Sequence, residues 1–266
     1  MRLSQSPPLE PLIERLSRFV RLRAADVAAL TALMKSRQRF LSRTDIISEG
    51  DVARWGFVLL DGMAARYRIL SDGRRQIVSF IVPGDLCDLH AALLKRIDHS
   101  IGTIVASSIA IIRREQLDAI LSEHPRVTET LRWSALQEAA MQREHIVALG
   151  RRNAHERVAY LLCDLSWRGG NWERGPEPGP LPLTQSDMAD ALGLTPIHVN
   201  RVLQDFRKDR LIVLDRHRLR ILDMERLMGV ADLTKEYLHL DGAPAAIERA
   251  CILRERRRGS AFRSAE

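Results

Sequence analysis

The sequence predicts an α+β protein with an N-terminal antiparallel β-roll, a long connecting helix and a C-terminal winged helix-turn-helix. Three observations support this prediction. Short β-rich runs separated by turn signals occupy residues 40–112, residues 126–149 contain neither glycine nor proline, and residues 185–204 match the spacing of a helix-turn-helix. With 266 residues, of which 45% are hydrophobic, the chain is long enough for about two domains.

The N-terminal segment is predicted to be one helix, from about residue 15 to residue 34. Its apolar residues recur at helical spacing and leave one side for burial: Leu16, Phe19, Val20, Val27, Leu30 and Leu33. Pro7, Pro8 and Pro11 lie where a signal peptide would have its apolar core, and no stretch reaches the length of a membrane span. We therefore expect a cytoplasmic protein with no membrane partner.

Four turn signals divide the β-rich region, at residues 49–51, 61–62, 71–73 and 83–85. Their glycines are 12, 11 and 11 residues apart, which is typical of strand-turn-strand units in a sandwich or barrel: Gly50, Gly62, Gly73 and Gly84. This spacing predicts an antiparallel β-roll of about 75 residues, inside a first domain that spans residues 15–120.

A long helix is predicted for residues 121–150, with Pro125 near its start and Gly150 at its end. The part without glycine or proline, residues 126–149, alone spans roughly 35 Å, which is longer than one small domain needs. We therefore expect the helix to connect two domains and to contact a second copy of the chain. Its apolar stripe has three/four spacing: Trp133, Leu136, Ala140 and Val147. Because Arg143 interrupts this stripe, a helix packed only on its own domain stays an alternative.

Residues 151–235 are predicted to form the second domain. A helix over residues 155–167 opens it, and a loop over residues 168–182, with four glycines and four prolines, leads to the helix-turn-helix. Two β-type runs, 211–214 and 218–222, follow the motif and flank a polar turn. We interpret these two runs as the wing of a winged helix-turn-helix.

The helix-turn-helix motif has a start or stop signal at each helix end. Thr184 is a helix cap with Asp187 three residues later, and Gly193 suits the left-handed position that ends the first helix. Thr195 and Pro196 begin a second helix, since proline is best tolerated in the first turn. These signals are typical of two short helices joined by a tight turn, the arrangement that reads duplex DNA.

The second helix of the motif separates into two faces when about 100° is allowed per residue. Its outward face holds side chains suited to double-stranded DNA, and we predict that they contact it: Thr195, Pro196, Ile197, His198, Asn200, Arg201, Gln204 and Lys208. Arg201 suits guanine, and Asn200 or Gln204 suits adenine. Ile197 suits a thymine methyl group, whereas Lys208 suits a phosphate. An amphipathic hairpin whose polar face only meets water is the alternative.

Charge points to a polyanionic partner around the motif. Residues 195–220 contain seven Lys or Arg against three Asp or Glu, which favours contact with a phosphate backbone. The net charge of +7 is weaker support, because both halves of the chain are basic. The tail, residues 242–266, is rich in alanine and arginine, and we expect it to be disordered.

The three cysteines, Cys87, Cys163 and Cys251, are odd in number and far apart, which predicts no disulfide framework and no iron–sulfur cluster within one chain. Cys87 and His90 offer two metal ligands, but no others accompany them, so we predict no metal site. The sequence contains no Ser-His-Asp order, phosphate-binding loop or HExxH motif. We therefore expect a protein that is not an enzyme.

Two motifs, in this order, resemble the Crp/Fnr family of bacterial transcription regulators: FIVPGDLCDL at 80–89 and PLTQSDMADALGLTPIHVNRVLQ at 182–204. The resemblance implies a cyclic-nucleotide-binding-like sensor domain, a homodimer on two-fold symmetric DNA sites and contact with RNA polymerase. The alternative function is a small-molecule or redox sensor, using haem or a thiol, whose helix-turn-helix serves as an interaction surface.

The resemblance is weakest where family members bind cyclic nucleotides. In those relatives a Gly-Glu-Leu segment holds the ribose and an Arg-Ser pair neutralises the phosphate, whereas this chain has Gly84, Asp85 and Leu86, followed by His99 and Ser100. Loss of the guanidinium removes a charge-assisted contact of about 1.5–3 kcal/mol. We therefore predict an effector pocket at these five residues that binds cyclic nucleotides weakly or not at all, and we predict no cofactor.

Overall fold

The computed structural model describes residues 10–52, 55–89, 95–170, 172, 177–242, 244–245 and 247–253. Two helices, α1 (Glu10–Ser17) and α2 (Ala24–Leu33), open the chain. The prediction of one helix over residues 15–34 is therefore wrong. The second helix begins separately because the Asp26 carboxylate accepts a hydrogen bond from the backbone N–H of Arg23 at 2.9 Å, as part of a capping box.

Eight strands form the β-roll: β1 (Arg37–Phe40), β2 (Asp45–Ile47), β3 (Trp55–Asp61), β4 (Ala64–Ile69), β5 (Arg75–Ile81), β6 (Leu86–Cys87), β7 (Ser100–Thr103) and β8 (Ser107–Arg113). They pair in two antiparallel four-stranded sheets, with the orders β1-β8-β3-β6 and β2-β7-β4-β5. Phe57, Ile81 and Ile101 lie in the buried cluster between the sheets. The predicted β-roll is confirmed, and its four turn glycines have φ between 85° and 91°.

Helix α3 (Arg114–Glu123) leads to the long helix α4 (Pro125–Arg151), which has 27 residues. The predicted end at Gly150 is wrong, because the helix continues to Arg151. The chain turns only where the Asn153 side chain caps the following helix by accepting two backbone N–H groups. A helix of this length spans about 40 Å and connects the β-roll with the C-terminal region.

The predicted apolar stripe of α4 divides between two faces. Trp133 and Ala140 are buried, and the Trp133 ring stacks on that of Phe19 with the centroids 5.0 Å apart. Leu136 and Val147 lie outside this core and are exposed. One face of α4 therefore packs on the N-terminal region, and the described residues leave a second apolar face open to solvent.

The C-terminal region contains α5 (Ala154–Leu165), a π-helical turn (Ser166–Gly170), β9 (Gly179–Pro180), α6 (Gln185–Leu192), α7 (Pro196–Lys208), β10 (Ile212–Asp215), β11 (Arg218–Ile221) and α8 (Met224–Ala231). Strands β10 and β11 form the predicted wing, and the short strand β9, which the sequence does not predict, pairs with β11. Thr184 and Thr195 cap α6 and α7, and Gly193 between them is left-handed with φ 62°. The predicted helix-turn-helix is confirmed.

The β-roll and the C-terminal region share one hydrophobic core. Ile77 and Phe80 of β5 belong to the same buried cluster as Leu162 of α5 and Ala191 of α6. Burial of these side chains from both regions holds the helix-turn-helix against the β-roll. The domain boundaries at residues 120, 150 and 235 stay predictions.

The chain beyond α8 returns to the N-terminal region. A short 3-10 turn (Glu236–Leu238) lies on α4, where the Gln137 side-chain amide donates to the carbonyl of Leu238. Residues 247–253 are helical, and the expected disorder of the tail is wrong for them because Cys251 is buried. Residues 254–266 lie outside the described part of the chain. No described helix combines the length and the apolar character needed to cross a membrane.

Candidate nucleic-acid interface and effector cavity

Helix α7 is packed on one side and open on the other. The packed side is buried against α5 and α6 and holds Val199, Val202, Leu203 and Phe206. The open side holds all eight predicted DNA-binding residues: Thr195, Pro196, Ile197, His198, Asn200, Arg201, Gln204 and Lys208. Even the apolar side chain of Ile197 is 73% exposed. The structure therefore brings the predicted residues together on one open face, which we call the reading face.

Hydrogen bonds order part of the reading face. Gln185, the first residue of α6, donates from Nε2 to Oδ1 of Asn200 at 3.1 Å, and Oγ1 of Thr195 accepts the backbone N–H of His198 at 3.2 Å. The sequence does not single out Gln185, because its position depends on how the two helices cross. Within the described residues the Arg201 side chain has neither an ion pair nor a hydrogen bond, so its guanidinium group is available to a base.

The wing adds positive charge beside α7. Its turn is formed by Arg216 and His217, with φ of 41° and 65°, and the backbone N–H of Leu181 donates to the His217 carbonyl at 2.7 Å. Exposed arginines extend from the end of α7 through the wing: Arg207, Arg210, Arg216 and Arg218. Such a row of cations suits the phosphate backbone on either side of a DNA groove.

A second candidate site is a cavity of about 660 Å³ between the β-roll and α4. This volume is in the range of small-molecule sites. Of the five predicted effector residues, Leu86 and His99 line the cavity. Gly84, Asp85 and Ser100 do not line this cavity, and an effector pocket at all five residues stays a prediction.

These three residues have other partners. The Asp85 carboxylate pairs with Arg15 of α1 and, at 2.7 Å, with Arg168 of the π-helical turn. Gly84 packs against the backbone of α1, where an added Cβ would lie 3.0 Å from the chain. Ser100 accepts a backbone N–H at 3.0 Å. Asp85 is therefore committed to two arginines and is not free to hold the hydroxyl groups of a ribose.

The polar end of the cavity is acidic around His99. Its Nε2 lies 3.2 Å from Asp88 and its Nδ1 lies 2.8 Å from Asp98. Burial alone would lower the pKa of His99, but the hydrogen bonds to Asp88 and Asp98 outweigh it, so the pKa is raised. A phosphate group placed beside His99 would meet two carboxylates, and this repulsion disfavours a cyclic phosphate.

Arg66 of β4 connects the cavity to the long helix. Its guanidinium group forms ion pairs with Glu138 of α4 and, at 3.5 Å, with Asp88. The sequence gives no signal for this cluster, because the two partners lie 72 and 22 residues away along the chain. The charge of Arg66 is compensated by these carboxylates, so it offers little attraction to an anionic ligand.

Cyclic AMP is expected to bind weakly or not at all. The cations that line the cavity, Arg66 and Arg68, are paired with carboxylates, and His99 lies between Asp88, which also pairs with Arg66, and Asp98. Isothermal titration with up to about 1 mM nucleotide should give no saturable heat. This result would mean that the binding free energy is no more favourable than about −4 kcal/mol. Linear AMP is the control for unspecific nucleotide binding. A micromolar dissociation constant for cyclic AMP, together with clearly weaker binding of linear AMP, would contradict this prediction.

Thiol or metal chemistry finds little support in the described residues. Cys87, Cys163 and Cys251 are all buried, and none of them forms a disulfide among the described residues. Burial raises the pKa of the Cys87 thiol, which makes it a poor nucleophile and a poor metal ligand. The described residues contain no group of three His, Cys, Asp or Glu that could hold a metal ion, and His90 lies outside them.

Comparison with known proteins covers both candidate sites. A family model of the cyclic nucleotide-binding domain matches residues 37–124, and one of the Crp-like helix-turn-helix domain matches residues 156–230. The chain is 32% identical over 201 residues to the nitrogen fixation regulation protein FixK of Bradyrhizobium diazoefficiens. This match covers 73% of this chain and 81% of that protein. The chain is 31% identical over 193 residues to the transcriptional activatory protein AadR of Rhodopseudomonas palustris, covering 73% and 80%.

The fold is also shared with solved structures. The structure of FixK2 from Bradyrhizobium japonicum has a TM-score of 0.67 at 24% sequence identity, covering 75% of this chain and 98% of that one. The structure of a CooA mutant from Carboxydothermus hydrogenoformans has a TM-score of 0.62 at 18% identity, covering 86% and 98%. Each likeness covers at least three quarters of this chain, so neither is confined to one of its regions.

Proposed function

This chain belongs to the Crp/Fnr family of DNA-binding transcription regulators, and we propose that it binds an inverted-repeat DNA site as a homodimer, with the reading face of α7 in the major groove. The observation that carries the proposal is the open reading face, on which the Arg201 side chain is exposed and makes no ion pair or hydrogen bond with the described residues. The recognition helices of a symmetric dimer meet successive major grooves about 34 Å apart, which requires an inverted repeat.

Further parts of the proposal rest on family membership. The regulator acts in the cytoplasm, contacts RNA polymerase near promoters and has no enzymatic activity. The relatives FixK and AadR are named as a regulation protein and a transcriptional activatory protein. A sensor whose helix-turn-helix is only an interaction surface is not favoured, because the side chains on the reading face are of the types that read bases.

The second copy of the chain is proposed to pack on the open apolar face of α4. Leu136 is 69% exposed and Ile146 is 67% exposed, although both are large apolar residues. They lie ten residues apart on one helix, or about 15 Å. Val147, eleven residues from Leu136 on the same side of α4, is 46% exposed and extends this apolar surface. Apolar patches larger than those usual on a monomer are typical of an interface between copies.

Changing Leu136→Ala and Ile146→Ala together is expected to raise the dimer dissociation constant at least about tenfold, because truncation of buried interface anchors costs more than about 1 kcal/mol each. Sedimentation equilibrium measures this constant. Ile69→Ala is the matched control, since it removes a similarly exposed apolar side chain from β4. A monomeric wild-type protein, or a double variant that dimerises as the wild type does, would contradict this interface.

A further inference from the structure

Two arginines of the β-roll hold the first helix of the helix-turn-helix. Both terminal nitrogens of Arg43 bind the Asp187 carboxylate, at 2.7 and 2.8 Å. Arg75 of β5 donates from Nε to Asp190 at 2.8 Å and from a terminal nitrogen to Asp187 at 2.9 Å. We call these four residues the clasp. It connects the sensor region directly to α6, which packs on the recognition helix α7.

Backbone conformation, backbone hydrogen bonds and burial hold Arg43 and Asp187 of the clasp in place. Arg43 has φ 59°, a left-handed conformation that non-glycine residues rarely adopt. Thr103 fixes this turn, because its carbonyl accepts the Arg43 N–H at 3.0 Å and its side chain accepts a neighbouring N–H at 2.9 Å. The Asp187 side chain is only 1% exposed. Burial alone would raise its pKa, but hydrogen bonds from Arg43 and Thr184 outweigh burial and lower it, so the carboxylate stays charged.

A second attachment joins the same two regions. Arg168, just after α5, donates to the carbonyl of Phe80 and to the Asp85 carboxylate, both at 2.7 Å. The shared hydrophobic core holds the two regions together, but apolar packing is non-directional. Two directional attachments at different elements add a fixed angle between the regions. The clasp at α6 and Arg168 after α5 therefore fix the direction of α7 relative to the β-roll and α4.

We propose that the clasp sets the half-site spacing that the dimer accepts, which rests on the proposed binding of an inverted repeat through α4 and α7. Each added base pair moves a half-site by about 3.4 Å and rotates it by about 35° around the duplex. A rigid pair of recognition helices cannot follow this change. Recognition helices that can change their direction reach the displaced half-site at little cost. Loss of the clasp should therefore weaken the preference of the dimer for one spacer length.

The test uses an inverted repeat that the full-length wild-type protein selects from random duplexes, rebuilt with its spacer one or two base pairs shorter and longer. We expect the wild type to prefer the selected spacing at least about tenfold over its neighbours, which is about 1.4 kcal/mol. The Arg43→Ala/Arg75→Ala double variant should retain no more than about threefold preference. The control Arg74→Ala removes a neighbouring arginine that pairs with Asp72 in its own hairpin, and it should behave as the wild type does.

The outcomes are distinct. A folded double variant that keeps the wild-type preference overturns the role of the clasp. Equal loss of affinity at every spacing, with a salt dependence shallower by about two, shows that the two arginines bind phosphate instead and also overturns it. If the wild type selects no inverted repeat, the proposed function fails and the clasp proposal fails with it.

Discussion

Replacing Arg168 with alanine is expected to lower the free energy of unfolding by about 3–5 kcal/mol, the usual cost of removing one partner from a buried ion pair. The Arg168 side chain is buried and lies 3.1 Å from Asp164 and 2.7 Å from Asp85. Burial alone would lower the pKa of Arg168, but Asp164 outweighs burial and raises it. The alanine variant leaves both carboxylates buried, with Arg15 as the remaining cation at Asp85.

Urea unfolding followed by circular dichroism measures this loss. Arg114→Ala is the matched control, because it breaks an exposed ion pair with Asp118 on α3, at 2.8 Å. Such pairs contribute about 0.3–0.5 kcal/mol. A loss of less than about 1 kcal/mol for Arg168→Ala would show that the buried carboxylates do not depend on this arginine.

Replacing Arg201 with alanine is expected to weaken binding to the selected DNA site by about 1–3 kcal/mol, or about 5- to 150-fold in the dissociation constant. The physical reason is the loss of a bidentate contact with one guanine. The variant should also accept any base at that position. Because the Arg201 side chain is exposed and makes no ion pair or hydrogen bond with the described residues, the free energy of unfolding should stay unchanged.

Fluorescence anisotropy with the selected duplex and with its single-base variants measures both effects. Lys208→Ala is the matched control, because Lys208 lies at the far end of α7, where we expect it to contact a phosphate. In the protein alone its ammonium group makes a long ion pair, 3.8 Å from Asp205. Loss of a phosphate contact should weaken all sequences alike and reduce the salt slope by about one. If Arg201→Ala leaves affinity and base preference unchanged, the reading face is wrongly assigned.

The helix-turn-helix could be predicted residue by residue because its signals are local. Thr184, Gly193, Thr195 and Pro196 each fix a helix end through contacts within four residues. The turns of the β-roll were predictable for the same reason, since a positive φ favours glycine wherever the turn occurs. Local chemistry therefore predicted the helix-turn-helix, the turns of the β-roll and the eight residues of the reading face.

The effector site and the connections between regions depend on distant partners instead. Asp85 lies in a motif that resembles a ribose-binding segment, yet it binds an arginine 83 residues away. From the sequence, Asp187 has only the role of a capping residue for α6. In the structure it also binds Arg43, which lies 144 residues away. Sequence spacing also placed Leu136 in the same stripe as Trp133, although only the latter is buried. These pairings arise from packing between elements, which no local pattern encodes.

Selection of bound DNA from a random duplex pool by the purified protein tests the assignment of α7 most directly. We predict an enriched inverted repeat with half-sites about 34 Å, or about 10 base pairs, apart, containing a guanine that Arg201→Ala no longer selects. Enrichment of no sequence, or of a sequence that Arg201→Ala selects equally well, would contradict the assignment.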